Sequence, residues 1–219
     1  MGKLTLSGRD IRLKSILCMT RELLMNTEQP VFQLQDLQVS LLGELRENLQ
    51  KTRLEYGFIN TWFGLCLVAF SRQGMCWLEP GWAGAYPEVL AQHWAGCDLV
   101  RDDLAVKHRF GELLAEHQGS AVLHMTGTKF QLRVWEALLA IPYGGHLSYG
   151  ELAAKLGLQK GARAVGSAVG ENHIAWFVPC HRVLPAQGGL GGYRWGELLK
   201  QRLLQAEATA GQKVSAGFS

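Results

Sequence analysis

Cys180 and His181 stand side by side in the run Val178-Pro179-Cys180-His181-Arg182-Val183, and both side chains can do chemistry. A thiolate is the nucleophilic form of cysteine, and a nearby base or positive charge raises its fraction at neutral pH. Pro179 fixes its own φ angle and favours an extended Val178, so the cysteine lies on a constrained segment. Neighbours in an extended segment point to opposite faces, so we expect His181 to reach the sulfur through a bridging water. The alternative is a buried cysteine beside a surface histidine.

A second unusual stretch lies at residues 161–170, which are predicted to form a helix almost without bulk. Its small residues are Gly161, Ala162, Ala164, Gly166, Ser167, Ala168 and Gly170. Glycine is costly inside a helix, so its repeated use indicates close approach to another backbone. Tight packing within the protein is one explanation. Arg163 favours another, because a slim helix with one long cationic side chain fits a narrow nucleic-acid groove.

The pentapeptide Pro-Cys-His-Arg-Val at 179–183 resembles the active-site signature of the methylated-DNA–protein-cysteine methyltransferases, the 6-O-alkylguanine-DNA alkyltransferase family. The resemblance covers roughly residues 56–207 and is strongest from Thr128 onward. It implies a DNA repair protein whose partner is double-stranded DNA containing 6-O-alkylguanine, mainly methylguanine. The nucleotide would be flipped out of the duplex and the alkyl group transferred irreversibly to Cys180, so that each molecule acts once. No cofactor is implied.

The resemblance assigns catalytic roles to five residues: Cys180, His181, Glu207, Asn172 and Tyr149. His181 would be the base, with Glu207 orienting its imidazole. Asn172 would join the recognition helix to the active-site segment, and Tyr149 would donate a proton towards the leaving guanine. This relay predicts a thiolate that forms below the ordinary cysteine pKa of about 8.5. Without the resemblance, Glu207 is an exposed helix residue and Asn172 a helix terminator.

Binding roles follow from the same resemblance. The DNA-binding positions are Arg163, which would occupy the place of the flipped nucleotide, together with Ala162, Gly166 and Ser167. The substrate-binding positions are Val169, Val183, Tyr193, Arg194 and Lys200. Val169 and Tyr193 would sandwich the base, and the amide of Arg194 would face the alkylated oxygen. The carbonyls of Cys180 and Val183 would receive the guanine amino group.

The elements around these residues are predicted to be helices. Thr128 to Gln131 fits a capping box, and Phe130, Val134, Leu138 and Ile141 then share one face. Ser148 to Glu151 fits a second capping box for a short helix that ends at Gly157. With the helix over 161–170 it would make a helix-turn-helix. A last amphipathic helix from about Trp195 carries Lys200 and Glu207.

The first half is predicted to contain more strands. An apolar stretch over 58–70, turn residues at 71–74 and a strand over 75–78 indicate an antiparallel hairpin. Helices are predicted over 87–94 and 104–117, and a strand over 121–125. Leucines at helical spacing predict an amphipathic helix near the N-terminus: Leu34, Leu37, Leu41, Leu45 and Leu49.

The predicted fold class is α+β, in three parts. Residues 1–50 would form a helical N-terminal extension of unknown role, and residues 51–125 a small α/β scaffold domain. Residues 126–219 would form a mostly helical alkyltransferase domain with the helix-turn-helix.

Composition sets outer limits on function. The chain of 219 residues carries a net charge of +3 and is 47% hydrophobic, which suits a packed core and permits a polyanionic partner. Its five cysteines include no CxxC pair, so no metal site is expected. The longest apolar run, 62–70, is too short for a membrane span. We expect a monomer in the cytoplasm, or in the nucleus of a eukaryote.

Three other functions compete with alkyl transfer. A non-catalytic alkylguanine-binding protein would flag damage for other repair, but the retained Cys180 argues against it. A regulator switched by methylation would use the N-terminal region. A cysteine hydrolase using Cys180 and His181 is disfavoured because adjacent residues rarely form a direct nucleophile–base pair.

Overall fold

The computed structural model describes residues 38–45, 52–81, 86–115 and 120–216. The strands are β1 (Gln38–Leu45), β2 (Arg53–Thr61), β3 (Gly64–Phe70), β4 (Met75–Pro80), β5 (Asp98–Arg101), β6 (Ser120–Gly127), β7 (Leu147–Ser148) and β8 (Val183–Leu184). The helices are α1 (Pro87–His93), α2 (Asp103–Ala115), α3 (Lys129–Leu139), α4 (Tyr149–Lys155), α5 (Ala162–Gly170) and α6 (Glu197–Ala216). A short 3-10 turn covers Cys180–Arg182.

Six of these strands form one sheet in the order β1-β6-β4-β3-β2-β5. Its centre is an antiparallel meander of β2, β3 and β4, and parallel strands extend it on both sides. The short strands β7 and β8 pair with each other in parallel, away from the large sheet. The mixed α/β architecture agrees with the predicted class.

The predicted hairpin is confirmed between β3 and β4, where Ser71 N donates to Gly74 O over 2.9 Å. Gly74 is required there, because a Cβ would lie 2.2 Å from the carbonyl oxygen of Val122. The apolar stretch 58–70 is two strands rather than one, since the chain turns at Trp62 and Phe63. Phe63 is almost fully buried at this turn, so the aromatic run concealed the change of direction.

The N-terminal helix prediction is wrong for the part that the structure describes. Leu41 and Leu45 lie on β1, which pairs in parallel with the whole of β6, from Gln38–Ser120 to Leu45–Gly127. Val39 and Leu41 pack against the core whereas Leu42 is 41% exposed, so burial alternates as in a strand. Pairing with a distant strand overrides leucine spacing. Leu34, Leu37 and Leu49 lie outside the described residues.

The later helices begin as their capping residues predict. Both reciprocal bonds of the capping box are present at Thr128 with Gln131 and at Ser148 with Glu151. Gly157 follows α4 with a φ of +79°, the left-handed conformation expected of a residue that ends a helix. None of the described helices is both long and apolar enough to cross a membrane.

A shared core joins the helices to the sheet. Helix α3 packs on β1 and β6, and α5 packs on α3 and α4. The buried indole of Trp135 on α3 donates to Ala168 O over 2.9 Å, which fixes α5 against α3. Val165 and Val169 on α5 are buried, so its opposite face is left to solvent.

Candidate active site

The segment that carries Cys180 is buried from Asn172 onward and is docked on β4. Leu78 N donates to His173 O over 2.9 Å, and Ala175 N donates to Leu78 O over 2.8 Å. Trp176 adopts a φ of +69°, which is unfavourable for a bulky residue. Its indole packs edge-on against Phe63, which stabilises this conformation from the scaffold side.

The backbone at Cys180 is a 3-10 turn and not the extended segment that Pro179 suggests. The turn is closed by Arg182 N donating to Pro179 O over 3.0 Å. Cys180 and His181 are both buried, and the buried Nδ1 of His181 has no hydrogen-bond partner within the described part of the chain. The expectation that His181 does not touch the sulfur directly therefore agrees with the geometry, although for a different backbone reason.

Asn172 ties the turn together through its side-chain amide. Its Nδ2 lies 3.1 Å from Ile174 O, 3.3 Å from Val178 O and 3.2 Å from Cys180 Sγ. Its Oδ1 accepts from Ile174 N over 2.9 Å. Asn172 thus joins the end of α5 to the cysteine, in the place where the sequence predicted such a link.

Glu207 is buried and not an exposed helix residue. His181 Nε2 lies 2.9 Å from Glu207 Oε1, and Gly144 N donates to Glu207 Oε2 over 3.1 Å. Arg182 binds the same carboxylate through Nε at 3.0 Å and Nη2 at 2.8 Å. Its Nη1 donates to Ile141 O. One carboxylate of α6 therefore holds two successive residues of the active-site turn.

Burial dominates the electrostatics of the site. It raises the pKa of the Cys180 thiol, and the Asn172 amide, the Tyr193 hydroxyl and the Lys200 ammonium offset only part of this. This direction contradicts the predicted low-pH thiolate. Burial also lowers the pKa of His181, more than Glu207 raises it, so the imidazole is neutral and able to accept a proton.

Glu207 shows the opposite balance. Burial would raise its pKa, but hydrogen bonds from His181 and Arg182 lower it to about 2. Arg182 holds the carboxylate through two nitrogens, so its contribution persists when His181 is neutral. The carboxylate is therefore ionised and able to orient the imidazole at Nε2.

Cys180 opens onto a cavity of about 410 Å³, large enough for a small-molecule group. The lining residues are Tyr149, Gly166, Val169, Gly170, Asn172, Cys180, Gly192, Tyr193 and Arg194. Val169 and Tyr193, the two residues expected to sandwich a base, therefore share one cavity with the cysteine and with Tyr149. Burial, with Cys180 nearby, raises the pKa of Tyr149, so its hydroxyl keeps its proton.

Lys200 and Val183 lie behind this cavity and not in its wall. The ammonium of Lys200 is buried and donates to Val183 O over 2.8 Å, and it lies 5.9 Å from the ring centre of Tyr193. The Val183 carbonyl thus already has one donor, although a second lone pair is left for another. The contribution of Lys200 to substrate binding would be support of Val183 and Tyr193.

The predicted DNA-binding residues share the outer side of α5. Ala162, Arg163 and Ser167 are exposed there, and Ser167 Oγ donates to Arg163 O over 3.3 Å. Gly166 faces the cavity, and a Cβ at this position would lie 3.6 Å from the ring of Tyr149.

Three residues of the site were not singled out from the sequence. Arg182 stands in the signature pentapeptide, and its position beside His181 was the available signal. Glu79 and His173 are buried and paired at 3.0 Å. No local pattern indicates that pair, because its members are 94 positions apart. Among the described residues, no group of three or more His, Cys, Asp and Glu side chains has the arrangement of a metal site.

Comparisons with known proteins show what this chain is similar to. The family model of the 6-O-methylguanine DNA methyltransferase DNA-binding domain matches residues 129–209. The regulatory protein Ada of Salmonella typhimurium is 36% identical over 173 residues, which cover 75% of this chain and 48% of that protein. The methylated-DNA–protein-cysteine methyltransferase of Mycobacterium bovis is 55% identical over 85 residues, 39% of this chain and 52% of that protein. The chain spans about half the length of these curated relatives.

Solved structures match over a larger share. The crystal structure of Mycobacterium tuberculosis O6-methylguanine methyltransferase is 35% identical, with a TM-score of 0.57, and the match covers 71% of this chain and 93% of that one. The Mycobacterium tuberculosis OGT in complex with DNA is 34% identical, with the same coverage and a TM-score of 0.57. Sequence identity at this level over nearly all of a solved relative, with the cysteine, histidine and carboxylate brought together, shows that the chain belongs to the methylated-DNA–protein-cysteine methyltransferase family.

Proposed function

We propose that this protein repairs duplex DNA by transferring an alkyl group, mainly methyl, from 6-O-alkylguanine to Cys180. The observation that carries the proposal is the thiol of Cys180 at the cavity, bonded to Asn172 at 3.2 Å and followed by a buried His181–Glu207 pair at 2.9 Å. A buried nucleophile with a neutral, carboxylate-oriented imidazole suits a reaction sheltered from bulk water.

The proposed step is a displacement at carbon. The Cys180 sulfur attacks the alkyl carbon, an S–C bond forms, and the C–O bond to guanine breaks with its electron pair left on the base. The thiol proton passes through a water to His181 Nδ1, which has no protein partner in the described structure. Tyr149, whose hydroxyl stays protonated, supplies a proton towards the leaving guanine. The thioether has no route back to the thiol, so the reaction is stoichiometric.

In the proposed complex the DNA binds to α4 and α5, which we interpret as a helix-turn-helix. The small exposed residues of α5 allow close approach to a groove, and Arg163 is the long cationic side chain on that surface. A methylated base inside a duplex is out of reach of Cys180, so the nucleotide must be flipped into the cavity. Residues 51–125 would then serve as the scaffold, and residues 126–219 would carry recognition and chemistry.

The test is a single-turnover assay with duplex DNA that carries labelled 6-O-methylguanine. We expect one equivalent of label on the peptide that contains Cys180, and none in Cys180→Ala, which should still bind the duplex. Cys66→Ala is the matched control, because burial raises the pKa of that thiol to about 12 and it should not compete. Label on Cys66, or transfer by Cys180→Ala, would overturn the assignment.

A methylation-switched regulator is a second candidate, favoured by the similarity to the Ada proteins of Salmonella typhimurium and of Escherichia coli, the latter named a bifunctional transcriptional activator and DNA repair enzyme. Selection of genomic fragments by the protein before and after methylation tests this. Enrichment of one sequence only after methylation would support regulation. An unchanged, sequence-independent profile would contradict it.

A further inference from the structure

Glu79 is a buried carboxylate outside the predicted catalytic set. It lies at the end of β4 in the scaffold half, and only 3% of its side chain is exposed. Its Oε1 accepts from Arg194 Nε over 2.8 Å and lies 3.0 Å from His173 Nδ1. A carboxylate this deeply buried is stable only when it is paired and hydrogen-bonded, and here both partners belong to the active-site half.

Both partners of Glu79 are tied to the cavity. Arg194 lines it, and its Nη1 donates to Gly170 O at the C-terminus of α5 over 3.3 Å. His173 directly follows Asn172, whose amide contacts the Cys180 sulfur. Glu79 is thus one anchor for two sides of the cavity: the loop that carries Arg194, and the segment that leads to the cysteine.

The anchor itself has little freedom to move. The His173 ring stacks on Trp77 with ring centres 4.1 Å apart and meets His93 at 4.5 Å. His93 Nε2 in turn lies 3.1 Å from Thr126 Oγ1 on β6. Glu79 is therefore held by the sheet on one side and by an aromatic stack on the other. Arg194, with 32% of its side chain exposed, is the outermost member of this chain of contacts.

We propose that Glu79 is a positioning residue that fixes the base-binding loop through the side chain of Arg194. The inference rests on the proposed function, in which the Arg194 amide faces the alkylated oxygen and Tyr193 covers the base. Several glycines precede Arg194, and Gly188, Gly189 and Gly191 have positive φ angles. A loop of this kind has no fixed shape of its own, so the charge-assisted bond from Arg194 Nε to Glu79 supplies one.

Misplacement of a contact by about 1 Å can slow an enzymatic step by up to a hundredfold. Glu79→Gln keeps the size of the side chain but removes the charge that holds Arg194. We expect the saturated single-turnover rate of methyl transfer to fall about tenfold or more. The affinity for unmethylated duplex should change less than twofold, because that duplex would bind to the exposed side of α5. Glu79 is buried and does not lie on that surface.

Arg194→Met provides the second variant, and its partly exposed position makes it the less disruptive of the two. If Glu79 acts through Arg194, the double variant should be no slower than the slower single variant. Glu79→Gln and Arg194→Met should each slow the reaction with free 6-O-methylguanine base by the same factor as the reaction with duplex DNA. In the proposed complex the loop contacts the base and not the rest of the DNA duplex. Glu55→Gln is the matched control: Glu55 pairs with Arg109 at 3.4 Å elsewhere on the sheet. It should leave the rate unchanged.

The outcomes separate the two hypotheses. If the wild-type protein transfers no methyl group, the proposed function fails. If the wild type is active but Arg194→Met stays within twofold of its saturated rate, the positioning role of Glu79 fails. Multiplying effects in the double variant, or slowing with duplex alone, would also overturn it, since Arg194 would then be an independent DNA contact. Thermal unfolding of each variant shows whether the fold is intact.

Discussion

Burial of the Cys180 sulfur keeps the thiol protonated and away from bulk water. Cys180 is 4% exposed, and desolvation raises the pKa of its thiol despite the Asn172 amide beside it. Burial also lowers the pKa of His181, so its imidazole is neutral. Its Nε2 bonds Glu207, which leaves Nδ1 for the proton transfer in the proposed reaction. A thiol kept protonated until substrate fills the cavity would resist unwanted alkylation, and in the proposed reaction its proton transfer would accompany alkyl transfer from DNA.

The first prediction concerns the pH dependence of Cys180 in the absence of DNA. Labelling by iodoacetamide should rise with pH through a midpoint at or above the ordinary cysteine value of about 8.5. His181→Ala should leave this profile nearly unchanged, because no hydrogen bond joins its imidazole to the sulfur, yet it should slow methyl transfer at least a hundredfold. Peptide mass spectrometry against Cys180→Ala measures the labelling. A midpoint well below 8 that moves upward in His181→Ala would instead show a preformed thiolate relay.

At the scale of single elements, local bonds could be predicted from sequence and distant pairings could not. The starts of α3 and α4 follow from Thr128 and Ser148, because a capping box is complete within four residues. The strand at Leu41 was missed because its partner, Leu123, lies 82 positions away. In the same way Cys180 and His181 could be identified from a single pentapeptide. The role of Glu79 could not, because it depends on a contact with Arg194 that forms only when the chain folds.

Helix α5 provides a test in which stability and activity should move in opposite directions. Gly166→Ala should stabilise the protein by about 0.5–1 kcal/mol, since alanine favours the helix and its Cβ would meet Tyr149 at an ordinary 3.6 Å. Transfer from 6-O-methylguanine DNA should nevertheless slow, because the added methyl group narrows the cavity beside Tyr149. Gly111→Ala on α2, where nothing lies within 4 Å, should stabilise without slowing transfer. Urea unfolding and the single-turnover assay supply the two measurements; faster transfer by Gly166→Ala would contradict the packing argument.

Arg163 tests the role of the same helix in DNA. Arg163→Ala should slow repair of duplex at least tenfold, because the arginine would occupy the space that the flipped nucleotide leaves in the base stack. Reaction with free 6-O-benzylguanine should hardly change, since there is no stack to hold open. Arg53→Ala, which removes an arginine with 57% of its side chain exposed on β2, is the control and should affect neither substrate. Equal slowing on both substrates would assign Arg163 a structural role.

Across the whole molecule, buried ionisable groups hold distant parts of the chain together. His124 on β6 lies 3.0 Å from Glu44 on β1 and 2.9 Å from Ser71 in the β3–β4 turn. Glu207 on α6 joins His181 and Arg182 to Gly144. The edge strand of the sheet and the last helix are thus each fastened by one polar cluster, and the stability of the molecule should depend on the charge states of both.

The sign of that dependence follows from the pKa directions. Burial lowers the pKa of His124 and of His181 from 6.5, so below that pH the unfolded chain binds protons that the folded protein does not. Each of these histidines then lowers the free energy of unfolding by up to about 1.4 kcal/mol for every unit by which the pH falls. Glu207 acts at lower pH, because its pKa falls from the ordinary 4.5 to about 2 in the folded protein. As the pH falls through this range, the free energy of unfolding should decrease by roughly 3 kcal/mol in total.

We therefore expect the free energy of unfolding to decline as the pH falls below 6.5, and to decline further below 4.5. His124→Gln should flatten the upper part of this curve, because glutamine can still bond Glu44 or Ser71 but cannot take up a proton. Glu207→Gln should flatten the lower part from a reduced starting stability, since Arg182 loses its partner at every pH. Urea unfolding at a series of pH values, followed by tryptophan fluorescence, gives both slopes. The exposed His108→Gln is the control and should keep the wild-type slope. An upper slope that is identical in His124→Gln and the wild type would mean that His124 is protonated to the same extent in the folded and unfolded chains.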